Sequence, residues 1–77
     1  MPRYFFHVND GVIAIDHKGV ELAGPTEARA QALSSAGEMI RNLGISFWAG
    51  EEWAMRVNDS VGRLVCTLNF SGLQGAP

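Results

Sequence analysis

Only one stretch of this chain carries a helical period, and residues that alternate like strands bracket it on both sides. Ala28, Ala32, Leu33, Ala36, Met39, Ile40 and Leu43 recur at three- and four-residue spacing, which predicts one amphipathic helix with these residues inward. Gly24-Pro25-Thr26-Glu27 marks its start: proline suits a first helical position, and Glu27 lies where the helix dipole favours negative charge. Gly44 marks its end. Gly37 weakens the middle by up to ~1 kcal/mol relative to alanine.

Before the helix, Tyr4, Phe6 and Val8 alternate with Arg3, Phe5 and His7, the period of a strand. Asn9-Asp10-Gly11 is a turn signal, because these residues tolerate positive φ. Val12 to Ile15 reads as a second strand, Asp16 to Gly19 as another turn, and Val20 to Leu22 as a short extended segment. After the helix, Trp53, Met55 and Val57 alternate with Glu52, Ala54 and Arg56. A turn at Asn58 to Gly62 then leads to a last strand, with Leu64, Cys66, Leu68 and Phe70 inward. The order ββαββ predicts an α+β two-layer sandwich, one helix on one face of an antiparallel sheet. Residues 1–70 form one domain in this reading, and 71–77 a flexible tail. Val8-Asn9-Asp10 returns as Val57-Asn58-Asp59, which reads as two uses of the same turn chemistry rather than a duplicated hairpin.

One helix cannot cover both faces of such a sheet, so Arg3, Phe5 and His7 lie on a face that must be wet or covered by another subunit. Size adds to this argument. A chain of 77 residues buries only about 60% of its unfolded surface. It has one cysteine, Cys66, so no internal disulfide can staple it. His7, His17 and Cys66 are scattered, without the spacing of a structural metal site. Good packing or self-association is left as the supplement. The connector Ile45 to Gly50 is unusually apolar, and its Phe47 and Trp48 either cap the core edge or meet a partner.

Charge and chemistry argue several functions down. The net charge is −2 and the six Lys/Arg are dispersed, so the basic footprint of nucleic-acid binding is missing. No run approaches the ~20 apolar residues of a membrane span, and the opening lacks the apolar core of a signal peptide. A lone thiol fits a reducing cytoplasm. Asp10, Asp16, Asp59 and Glu21 are acids near turns, where aspartate bonds its own backbone, and no calcium-loop spacing joins them. His7 has no partner motif and reads as a sheet histidine, while Cys66 lies among Leu64, Leu68 and Phe70 like a small core residue. No nucleophile elbow, phosphate loop or dinucleotide fingerprint occurs, so neither catalytic residue nor cofactor nor metal is expected.

Met1-Pro2-Arg3-Tyr4-Phe5-Phe6, the Asp10-Gly11 turn, Asp16-x-x-Gly19-Val20-Glu21-Leu22, Glu27-Ala28-Arg29-Ala30 and Asp59-x-x-Gly62-Arg63 together resemble a family of short proteobacterial proteins, a domain of unknown function. The resemblance covers residues 1 to about 70 and implies the same element order and a cytoplasmic bacterial setting, with no activity to transfer. Gly24-Pro25 departs from that family's Asp-type helix cap, and the apolar Ile45–Trp48 connector from a more polar one.

The expected function is a non-enzymatic interaction or structural domain that self-associates, most simply as a symmetric dimer, or that meets another protein. Arg3, Phe5, His7, Phe47 and Trp48 are its candidate interaction residues. The alternative is an antitoxin-like nucleic-acid module whose sheet face stacks bases on Arg3, Phe5, His7 and Arg56. A third reading is a small-molecule binder with its site under Phe47 and Trp48.

Overall fold

The computed structural model describes residues 1–50 and 52–76. Five strands and one long helix follow in order: β1 (Arg3–Asn9), β2 (Ile13–Ala14), β3 (Val20–Glu21), α1 (Pro25–Leu43), β4 (Trp53–Asp59) and β5 (Leu64–Phe70). The fold is α+β, with α1 packed on one face of an antiparallel sheet. The short extended segment expected at residues 20–22 completes it as the fifth strand, β3.

The sheet runs β2-β1-β4-β5, and β3 also pairs with β1. Phe6 stands opposite Val57 and Val8 opposite Met55, while Met55 stands opposite Leu68 and Trp53 opposite Phe70. Tyr4, Trp53, Met55 and Val57 are buried, with Phe6, Val8, Cys66, Leu68 and Phe70 packed around them. Because β1 and β4 run antiparallel, the two Val-Asn-Asp segments end at opposite ends of the sheet. Each closes its own turn: Asp10 Oδ1 accepts the Val12 N–H at 3.2 Å, and Asp59 Oδ1 accepts those of Val61 and Arg63 at 3.0 and 2.8 Å.

The helix starts and stops where its punctuation predicts, with Pro25 in its first turn and Gly44 at φ 57° donating its N–H to the Arg41 carbonyl. It lies over β4 and β5 and buries a line of alanines, Ala28, Ala32 and Ala36, flanked further on by Ile40 and Leu43. Alanines let the backbone approach closely, so only a narrow stripe is covered. Leu33 and Met39, expected inward, are exposed instead. Each is the immediate neighbour of an inward residue, and one step turns the side chain by about 100°. Leu64 is likewise exposed, because the β4–β5 register slips by one between Val57 and Asn58 and moves Leu64 to the other face.

The apolar connector forms a 3-10 helix, Gly44–Ala49. Ser71–Ala76 has no regular structure, and Gly72 rests against the Trp48 and Phe47 rings. Pro77, the end of the expected tail, lies outside the described residues.

Candidate functional site

The helix-free face of the sheet is built by the other half of each alternation: Arg3, Phe5, His7 and Asn9 from β1, Ala54, Arg56 and Asn58 from β4, Thr67 and Asn69 from β5. Three of the five expected interaction residues, Arg3, Phe5 and His7, therefore do share one face. They share a task as well. The pairings Tyr4↔Val20 and Val8↔Ala14 leave three residues of β1, Phe5 to His7, opposite five, Ile15 to Gly19. The edge is broken there, and side chains fill the break.

Asp16 does most of this filling. Its Oδ2 accepts the Phe6 N–H at 3.1 Å, and its Oδ1 accepts those of Lys18 and Gly19, each at 3.0 Å. Burial raises its carboxyl, but the backbone N–H groups of Gly19, Phe6 and Lys18 outweigh it, and Asp16 titrates below the ordinary aspartate range. The Asp16 N–H in turn donates to His7 Nδ1 at 3.1 Å, which leaves Nε2 as the ring nitrogen open to other groups. Arg3 reaches over the same loop. Its guanidinium donates to the Lys18 carbonyl at 2.8 Å and pairs with Glu21 at 3.0 Å, an exposed ion pair of small energetic value. Phe5 lies against Gly19, whose φ of 72° a side chain would strain.

Phe47 and Trp48 are elsewhere, at the end of α1. Their rings meet edge to face at 5.6 Å and close a cavity of about 70 Å³ with Leu43, Trp53, Asp10 and Gly72. The connector splits in two: Phe47 is half-buried on the core, while Trp48 keeps nearly half its surface. The two candidate groups do not form one surface.

A shallow groove of about 610 Å³ runs across the helix-free face. His7, Arg56 and Thr67 stand side by side across three strands, and Ile13, Ile15 and Ala54 supply apolar walls. Alternation alone places Arg56 on the His7 face. Alternation places Thr67 there too; that the three stand in one row beside the two isoleucines depends on strand order and register, which alternation does not contain. Among the described residues no three His, Cys, Asp or Glu side chains gather as metal ligands. Cys66 is half-buried, and burial pushes its thiol up, with Arg29 pulling the other way.

No helix is long and apolar enough to cross a membrane among the described residues. No curated protein and no solved structure matches the chain. A family model described as Domain of unknown function (DUF6894) matches residues 3–71, from the first residue of β1 to the residue after β5, and the chain belongs to that family.

Proposed function

We propose that this chain is a small non-enzymatic interaction domain of the proteobacterial cytoplasm that pairs with a second copy of itself as a symmetric dimer. The observation that carries the reading is the contrast between the two edges of its sheet. The β2–β3 edge comes in two-residue pieces, with Asp16 filling the gap between them. The β5 edge is seven residues long, holds no charge and no proline, and has no strand on its outer side among the described residues. Such an edge offers a row of free N–H and C=O groups, and sheet proteins ordinarily blunt it with charge, proline or breaks. Antiparallel pairing with the β5 of a second copy brings no like charges together and satisfies both edges. Leu33 supports the same reading: it is 62% exposed, one helical turn beyond Arg29, whose charge reaches Cys66 in β5.

The acids support a non-catalytic role. Asp16 gives both oxygens to backbone N–H groups, Asp10 and Asp59 each give Oδ1 to them, and Glu21 pairs with Arg3.

Sedimentation equilibrium across the micromolar range tests the dimer. The weight-average mass rises from 8.3 kDa toward twice that value. Leu33→Lys with Leu64→Lys, both at exposed positions, places like charges along the edge and holds the protein at the monomer mass. A monomer at every concentration overturns the proposal.

A further inference from the structure

We infer that the groove on the helix-free face binds a small organic carboxylate, with Arg56 and His7 holding the carboxylate and the isoleucine wall taking its hydrocarbon part. The argument begins with the donors. Arg56 stands opposite His7 on one side and Thr67 on the other, so three donor side chains form one row across the sheet. Side chains directly opposite on antiparallel strands lie about 5 Å apart at Cβ, within reach of one small ligand. Among the described residues Arg56 has neither an ion-pair nor a hydrogen-bond partner, and its planar fork matches a carboxylate. His7 is pre-set: with Nδ1 occupied by the Asp16 N–H, its Nε2–H is the donor left to a ligand.

The walls then set the ligand class. Ile13 and Ile15 are 65% and 53% exposed, far more than an edge needs, and both line the groove with Ala54. Among the described residues no carboxylate lines it. Asp16, the acid closest in the chain to these residues, turns both oxygens onto backbone N–H groups. A binding site combines a concave, largely apolar surface with a few convergent polar groups, and this groove has both. Inorganic phosphate would leave the isoleucines uncovered, and a neutral ligand would leave Arg56 unpaired.

Titration with benzoate, followed by NMR of the Arg56 Nε–H, the His7 ring and the Thr67 amide, tests the inference. Benzoate shifts all three saturably. Benzamide, which has the ring without the charge, binds at least about tenfold more weakly, as does phosphate. Arg56→Gln lowers benzoate affinity by about tenfold or more while its amide spectrum stays that of the folded protein, and Ile15→Ser weakens benzoate without changing the response to phosphate. Absence of saturable shifts overturns the inference. So does equal binding of phosphate and benzoate, or tighter binding of single-stranded RNA than of benzoate at the same residues. Mass measurements on the same samples keep self-association separate, because benzoate binding is read in monomer and dimer alike.

Discussion

The Asp16 main-chain N–H donates to His7 Nδ1 at 3.1 Å while the Asp16 carboxylate, one bond network away, accepts the Phe6 N–H at 3.1 Å. Two residues nine apart in sequence thus close a gap that would otherwise leave β1 without an edge partner. Because the loop opposite is two residues longer than β1 there, no backbone carbonyl is available to Phe6 in the strand register, and a side chain replaces it. Alternation places His7 on the helix-free face and this contact holds its ring there, so an edge repair and a candidate binding site share one residue.

Asp16→Asn destabilises the protein by about 2–3 kcal/mol, the scale of charge-assisted hydrogen bonds left unmade. An amide has one acceptor oxygen, whereas Asp16 uses both of its own, and the NH₂ group would meet a backbone donor. Urea unfolding measures this as a lower midpoint with an unchanged slope. A change within about 0.5 kcal/mol, typical of ordinary surface positions, would show that the three bonds contribute little.

Stability also depends on pH through this carboxyl. Its folded value lies below its unfolded value, so its contribution is fully present above the unfolded aspartate value of about 3.9 and fades as pH falls through that value and then through the folded one. The wild-type protein therefore loses stability more steeply than Asp16→Asn as pH drops from about 5 to about 2.5. Parallel curves for the two proteins would assign the acid sensitivity to other carboxylates.

Gly19→Ala is the sharpest single-atom probe of the broken edge. A Cβ there would stand 2.8 Å from Phe5 Cε2, 2.9 Å from Arg3 Cγ and 2.9 Å from the Tyr4 carbonyl oxygen. The two side chains can shift, but the carbonyl belongs to β1. Left-handed strain and crowding together cost about 2–4 kcal/mol. Gly11→Ala is the control: its φ is 102°, yet nothing lies within 4 Å of an added Cβ, so it carries only the backbone cost of about 1–2 kcal/mol. Equal losses in the two variants would remove crowding from the account.

Much of the architecture is legible without coordinates because local patterns carry it. The helix limits follow from Pro25 and Gly44, and the inward set Trp53, Met55 and Val57 follows from strict alternation. The tie of Asp16 to Phe6 is not legible, since it depends on a two-residue mismatch between strands that pair at both ends. The division of labour between Phe47 and Trp48 is illegible for a related reason. Adjacent aromatics look like one patch, but a 3-10 turn sends one onto the core and leaves the other half outside. Leu33, Met39 and Leu64 show the limit of periodicity. It ranks faces, but the width of the buried stripe depends on how closely the alanines bring helix and sheet together, and one bulge reverses a strand end.

Two of the three methionines, Met39 and Met55, turn that limit into a measurement. Both occupy positions that periodicity assigns to the core, yet Met55 is 0% exposed and Met39 is 41% exposed. Met55→Ala removes a fully buried side chain at the centre of the sheet, between Val8 on one strand and Leu68 on the other, and costs about 2–5 kcal/mol. Met39→Ala leaves no cavity and replaces a flexible side chain by the best helix former, so its effect stays within about 0.5 kcal/mol. Thermal or urea unfolding of the pair separates a narrow alanine stripe from a wide apolar face. If Met39→Ala proved as costly as Met55→Ala, the helix would have to pack deeper against the sheet than its exposed flank allows.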